Sequence, residues 1–497
     1  MGSSKQIAAG VAWTIIYNVI NGIYGFISVP ILIAYFGKSD YGLIGLAMSV
    51  NVYLRLMDLG FNSTNVRFFS NWLVKKDFHK VRRLFQTSLS FYGVIGLLNA
   101  LILLIISFFS DSIFNVKPEQ SIIVKHLFYI LSISAIISWI SSCFDQLITA
   151  NEKVDWVKKM SLLPKLLQII VLVLTIVLHF SIECYYALTA FSLFSVVPFF
   201  IRKIKKICPF VSFKPSFDTA IFREVISYSL NIFSFGIFQF SVNYLRPLFL
   251  GMESTPESIT EYNVLNGIIG IVLLIGGTFM GVVLPSASRV VAQGDISAQN
   301  RIAYKGTKYI SITLCLCCFG MMSIVPELIT AYVGVEYLHL TFWLDLWLIS
   351  TLGAHNQAIS SLILAGADIR AITYSTLVAS IVGLLLCWFL IPIYDVGGTV
   401  IAYLVYCLIQ ILFYYLYYWP RVMKLNSQKI FIKSFLPFAI IGGITAALMR
   451  HIPLSMGVWS DLIIKGSIFL IAYSLLVALF IDREDKDYLF SLMRRAR

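Results

Sequence analysis

The chain has 497 residues, of which 59% are hydrophobic and only 13% charged, with a formal net charge of +13 and a mean hydropathy of +0.84. A soluble protein of this size has no means of covering that much apolar surface, so composition makes lipid its solvent. The cationic excess then belongs to loops beside anionic headgroups, and basic stretches with interleaved aromatics such as Arg202–Phe213 read as loops and not as a nucleic-acid surface.

In chain order, about 14 apolar runs appear near residues 10–36, 41–60, 84–109, 123–147, 160–180, 184–202, 225–250, 262–285, 306–326, 337–365, 371–392, 397–418, 432–450 and 462–481. Each has roughly the 17–25 residues that a helix needs to cross a bilayer. The Lys and Arg residues sort by gap: 30 of the 38 fall on one side, five (Lys38, Lys117, Lys125, Arg450 and Lys465) on the other, and three (Arg55, Lys165 and Arg246) inside predicted helices. Such alternation follows the positive-inside rule. It predicts an all-α, multi-pass protein of the cytoplasmic (inner) membrane type with an even number of spans and both termini cytoplasmic. The first run is too long for a cleavable signal and lacks a small-residue cleavage site, and Gln6 stands where myristoylation requires Ser or Thr. The eight cysteines form no framework; Cys315, Cys317 and Cys318 read as small helix residues rather than a metal site. No gap is long enough for a soluble catalytic domain, so any function sits within the helices and the chain is expected not to be an enzyme.

A faint internal repeat divides the chain. Leu147–Glu152 echoes Leu362–Ala367 at an offset of about 215, and Asp40-Tyr41 with Gly60 echoes Glu261-Tyr262 with Gly281 at about 221. Six helices separate the copies, an even number, so the halves share one orientation. The expected organisation is an N-lobe of six helices (1–205), a cytoplasmic linker (206–224), a C-lobe of six (225–425) and a trailing helix pair with a cytoplasmic tail (426–497).

The segment Asp40-Tyr41-Gly42-Leu43, Leu56-Met57-Asp58-Leu59-Gly60-Phe61 and Arg67 resembles the second-helix signature of the polysaccharide (Wzx-like) flippases of the multidrug/oligosaccharidyl-lipid/polysaccharide (MOP) exporter superfamily. Pro285-Ser286-Ala287-Ser288, Leu364-Ala365-Gly366-Ala367-Asp368 and Ile391–Val400 look like further motifs of that family, and the likeness runs over nearly the whole chain. The resemblance implies alternating-access transfer of an undecaprenyl-diphosphate-linked oligosaccharide to the outer leaflet for surface polysaccharide synthesis. Its implied partners are that lipid-linked glycan, membrane lipids and a polysaccharide polymerase or co-polymerase complex, with no nucleic acid. No cofactor is implied beyond H+ or Na+ coupling. A cation-coupled multidrug exporter of the same superfamily, and a lipid II or teichoic-type flippase, are the alternatives.

Interior polar residues supply the candidate site. A charge at mid-bilayer costs several kcal/mol, so it normally faces other helices or a wet cavity. Arg55 lies roughly 21 Å down the second helix from Tyr41 at 1.5 Å per residue. Its fork suits two phosphate oxygens, or else Asp58 at i+3 neutralises it as a structural pair. Arg246 is read as a second phosphate or sugar contact, or as a cation reaching the interface; it stands in a region where many members of the resembled family carry an acid. Lys165 lies near a helix end, where it either snorkels or binds. Asn18, Asn21, Asn51 and Asn243, with Tyr17, Tyr24 and Tyr244, suit sugar hydroxyls or interhelical hydrogen bonds. Asp58, Asp345 and His355 are candidates for ion coupling, or are simply satisfied polar groups. Within the N-lobe interior Asp58 is taken as the single acid, which argues for an anionic substrate. Gly22, Gly25 and Pro30 on the first helix, with Gly276 and Gly277 on the eighth, read as a moving gate or as close-packing positions.

Overall fold

The computed structural model describes residues 2–366, 370–452, 454 and 456–480, and within these the side chains of 2–8, 231, 232, 235, 274–282, 284 and 285 are outside the description. Gly276 and Gly277 of the expected gate and the tail cations from Arg483 to Arg497 therefore lie outside the described residues. Among the described residues every regular element is helical and there is no strand. A chain this apolar has no water to satisfy its backbone in lipid, and only internal i→i−4 bonding does so within each segment. Nine helices are long and apolar enough to cross a membrane, or up to eleven if each of two bent pairs is one span, among the described residues. The chain is a multi-pass, all-helical membrane protein.

It splits into two compact units. The first comprises Met1–Asn263 with Ile391–Thr399, and the second Val264–Leu390 with Val400–Arg497. The first unit contains α1 (Gly2–Phe36), α2 (Lys38–Leu54), α3 (Phe61–Val74), α4 (Phe78–Phe108), α5 (Ser121–Ala150), α6 (Val154–Leu178), α7 (Ile182–Ser192), α8 (Val197–Ile207), α9 (Thr219–Glu253) and the start of α10 (Pro256–Ala292). The most extensive packing is that of α4 along α5 and of α1 along α6. Between α8 and α9 the chain is a pinned strap. Phe213 wedges against Phe85 and Phe144, Gln86 donates to the Lys214 carbonyl (2.9 Å), and Asp218 pairs with Arg83.

At the other end of α2, the family-like residues acquire physical reasons. A side chain on Gly42 would put its Cβ 1.9 Å from the Pro256 carbonyl oxygen, so only glycine lets α2 approach the first turn of α10. That junction is tied by Lys38 to Glu261 (2.5 Å), by Thr260 donating to the Lys38 carbonyl (2.6 Å), by Gln120 donating to Asp40 (2.7 Å), and by Lys117 to Glu257 (2.8 Å). Asp395 closes the same region, its carboxylate accepting from Ser254 (2.6 Å) and Ser258 (2.7 Å).

The second unit holds the rest of α10, then α11 (Thr307–Met322), α12 (Val325–Val333), α13 (Thr341–Thr351), α14 (Gln357–Gly366), α15 (Arg370–Tyr394), α16 (Val396–Phe413), α17 (Leu436–Arg450) and α18 (Val458–Phe480), with the ends of α15 and α16 that meet at Asp395 assigned to the first unit. Two readings of the sequence are corrected here. Lys465, counted above as a loop cation, lies within α18, buried and paired with Glu327 of α12 (2.6 Å). Arg450, also counted with the loops, ends α17 and pairs with Asp345 of α13.

Candidate functional site

The second apolar run is not one straight helix. After α2 the chain tightens into a 3-10 turn, Arg55–Asp58, and then restarts as α3 with a 43° bend. The cause is local. Leu59 (φ 51°) and Gly60 (φ 75°) are successive left-handed residues, which no α-helix accommodates. Gly60 is required twice over, because a Cβ there would sit 2.9 Å from the Ser229 carbonyl, while Ser229 Oγ donates to the Leu59 carbonyl at 2.7 Å.

Asp58 anchors this break. One carboxylate oxygen accepts the Asn62 N–H (3.0 Å), in the manner of a helix cap, and the other accepts the Tyr92 hydroxyl (2.8 Å). Tyr92 in turn accepts from Gln146 Nε2 (2.7 Å), and Gln146 Oε1 accepts from Asn65 Nδ2 (2.8 Å), which also donates to Ser88 Oγ (3.0 Å). Arg55, three residues before Asp58, is exposed, and its side chain has no hydrogen-bond or ion-pair partner among the described residues. The anticipated Arg55–Asp58 pair is thus not formed.

Arg55 does not stand alone. Its charge acts on the Tyr17 hydroxyl of α1, as does that of Asp145 on α5. Lys158 and Lys159 of α6 lie over the rings of Tyr17 (5.3 Å) and Trp13 (4.9 Å), and Lys165 lies over Tyr24 (4.9 Å) while donating to Gln168 (2.9 Å). Trp13, Tyr17 and Tyr24 share one side of α1 by their spacing of four and seven, so α1 and α6 meet through a cation–aromatic ladder. Lys159 also pairs with Asp155 (3.6 Å), and Asp145 acts electrostatically on Lys158 and accepts from Thr149 (3.0 Å). Arg55 and Lys165 remain without an acidic partner among the described residues. A lysine over a ring gains about 0.5–2 kcal/mol, less than from a well-placed anion, so the ladder holds these cations without using them up.

Asn18 and Asn21 are exposed on α1, Asn51 is half-buried on α2, and none of their three side chains hydrogen-bonds another described residue. Around Gly25 an added Cβ would meet nothing within 4 Å, so packing does not demand that glycine; Gly22 is likewise exposed, and Pro30 sits inside an unbroken α1.

The remaining candidates lie elsewhere. Arg246 on α9 is 3% exposed, donating from Nε to the Val242 carbonyl (2.9 Å) and from Nη1 to the Thr399 carbonyl (3.4 Å), with its guanidinium 5.6 Å from the Tyr262 ring. Asn243 donates to the Gln239 carbonyl one turn back (2.9 Å). In the second unit, His355 occupies a 3-10 turn, Leu352–Asn356, between α13 and α14. Its Nδ1 faces the Leu352 carbonyl (2.7 Å), its Nε2 the Tyr415 hydroxyl (2.6 Å), and its ring stacks on Phe435. A carbonyl only accepts, so Nδ1 carries a proton, and both ring nitrogens are satisfied.

Four participants were missed from sequence. Asp145 is a second interior acid in the N-terminal region, so Asp58 is not alone there as expected; the polar doublet Asp145-Gln146 inside an apolar run was its visible signal. Tyr92 and Asn65 had no such local signal, and nothing in the sequence joined them to Gln146, because the three come from three helices.

The fold compares closely with two solved transporters. The lipid II flippase MurJ, in an inward closed conformation, aligns with a TM-score of 0.71 and 14% identity over 95% of this chain and 98% of that one. An inward-facing multidrug resistance MATE family transporter of the MOP superfamily aligns with a TM-score of 0.62 and 14% identity over 80% and 96%. At that identity the likeness concerns fold. No curated relative matches the sequence. The family model described as polysaccharide biosynthesis protein matches residues 7–291, more than half of the chain and all of the segment from the α1 ladder to the broken second span, and the chain belongs to that family.

Proposed function

We propose that the protein is a flippase that carries an undecaprenyl-diphosphate-linked oligosaccharide from the inner to the outer leaflet of the bacterial cytoplasmic membrane, by alternating access and for surface polysaccharide synthesis. The observation that carries this reading is the pair of helix-embedded cations, Arg55 and Lys165, with no acidic partner among the described residues. An embedded cation without a counter-ion is costly, and a diphosphate headgroup supplies the missing charge. With both termini cytoplasmic, α1 and α6 each start inside, and Tyr17 and Tyr24 are about 10.5 Å apart along α1. Lys159 at Trp13 then stands at the entrance, Lys158 and Arg55 next at Tyr17, and Lys165 further out at Tyr24, as successive stations for the phosphates. The open amides of Asn18, Asn21 and Asn51 suit sugar hydroxyls.

Translocation needs a driving force, and H+ or Na+ coupling is part of the proposal. Among the coupling candidates, Asp58 is the one located at the break, whereas Asp345 is paired with Arg450 and His355 is bonded at both nitrogens. Lipid II, for which MurJ is named, is a neighbouring substrate class that shares the diphosphate and differs in the sugar. The second reading, a cation-coupled multidrug exporter, draws its support from Asp145 beside Tyr17.

The test is translocation in proteoliposomes with a polyprenyl-diphosphate-linked glycan. Arg55→Ala is expected to abolish transfer and Lys165→Ala to slow it, with both variants inserted normally. Full transfer by Arg55→Ala would rule the reading out.

A further inference from the structure

We infer that Tyr92, with Gln146 and Asn65 behind it, is a positioning residue whose hydroxyl occupies the Asp58 carboxylate and so prevents that carboxylate from capturing Arg55; this rests on the proposed role of Arg55 as a diphosphate ligand. Arg55 and Asp58 occupy a single 3-10 turn, three residues apart, where side chains at i and i+3 lie on one side. An arginine and an aspartate so placed are within reach of one another. Here they do not pair: the Asn62 N–H engages one carboxylate oxygen and the Tyr92 hydroxyl the other, and these two donors set which way the carboxylate is turned.

The direction of the chain of hydrogen bonds follows from the carboxylate. An ionised Asp58 only accepts, so Tyr92 must donate to it. The Tyr92 oxygen must then accept, which fixes Gln146 with its amide nitrogen toward Tyr92 and its oxygen toward Asn65. Every group in the relay is fixed: Tyr92 and Asn65 are fully buried and Gln146 is 1% exposed. The relay therefore presents one O–H from inside the bundle to one face of Asp58, while Arg55 stays on the exposed side. Removing the hydroxyl frees one carboxylate oxygen, and the nearest embedded cation in the same turn is Arg55.

The test is binding of farnesyl diphosphate to the purified full-length protein in detergent, with thermal stability measured alongside. Arg55→Ala first establishes the baseline; if it leaves binding unchanged, the proposed role of Arg55 fails and the relay with it. Given that Arg55→Ala weakens binding, Tyr92→Phe is expected to weaken it about tenfold, the weight of one charge-assisted hydrogen bond lost to intramolecular capture. Adding Asp58→Asn to Tyr92→Phe is expected to restore binding, since an amide does not neutralise a guanidinium. A merely structural role for Tyr92 predicts the reverse, a double variant that binds no better than Tyr92→Phe. Gln146→Met provides the second approach, with the same loss and the same rescue by Asp58→Asn. Tyr92→Phe binding at wild-type strength, or no rescue in either pair, overturns the inference.

Discussion

Two helix cations in each unit show opposite uses of charge. In the second, Arg450 is matched by Asp345 and the buried Lys465 by Glu327, each pair joining two helices. In the first, Arg55 and Lys165 have no acid, and the nearest carboxylate to Arg55 in sequence is occupied by Asn62 and Tyr92. Matched pairs are a structural use of charge: each partner removes the other's cost, and little is left for a ligand. Unmatched cations have the opposite character, and their cost persists until an anion arrives.

Perturbing each region separates the two uses. The largest effect is expected at the α2–α10 junction on which the first unit depends. Gly42→Val places two further carbons where a single Cβ would already lie 1.9 Å from the Pro256 carbonyl oxygen, and is expected to prevent recovery of folded protein in size-exclusion chromatography. A folded, active Gly42→Val would show that α2 tolerates separation from α10. Next is the second unit. Lys465→Met leaves Glu327 embedded without its partner and is expected to cost about 3 kcal/mol of stability, while Lys465→Met with Glu327→Leu regains most of it. Thermal unfolding in detergent decides this, and transfer by the double variant should remain near wild type, in contrast to Arg55→Ala.

The smallest effect concerns a solvent-facing pair at the α2–α10 junction. Burial raises the Glu257 carboxyl, but hydrogen bonds from Lys117 and neighbouring groups outweigh it and hold the pKa at about 2. A depressed carboxylate contributes stability above its unfolded value near 4.5, and loses it as pH falls through about 2. Lys117→Met is expected to reduce the drop in stability between pH 5 and pH 2 without changing stability slopes above pH 6. A wild-type slope in that variant would remove Lys117 as the cause.

How much of this was legible depended on which solvent set the rule. Lipid imposes apolar runs and a one-sided loop charge, so the helical, multi-pass character was readable from composition and from Lys and Arg alone. The same logic misplaced Lys465, because its partner Glu327 is 138 residues away and a buried pair looks like a loop cation in one dimension. The break after Asp58 was hidden inside an apolar run, Leu56-Met57-Asp58-Leu59-Gly60, where only the left-handed backbone at two residues reveals it. Arg55 and Lys165 stood out at once as cations inside runs. The relay behind Asp58 did not, since a tyrosine or glutamine in an apolar helix has no meaning until α3, α4 and α5 are brought together.

The central claim is that the unmatched cations of the first unit select a diphosphate anion. The most direct measurement is the affinity of the purified wild-type protein for farnesyl diphosphate, farnesyl monophosphate and ethidium under one condition. The account predicts that the diphosphate binds most tightly, the monophosphate more weakly, and ethidium least. Ethidium binding more tightly than the diphosphate would contradict it, and would transfer the weight of the site from Arg55 to Asp145.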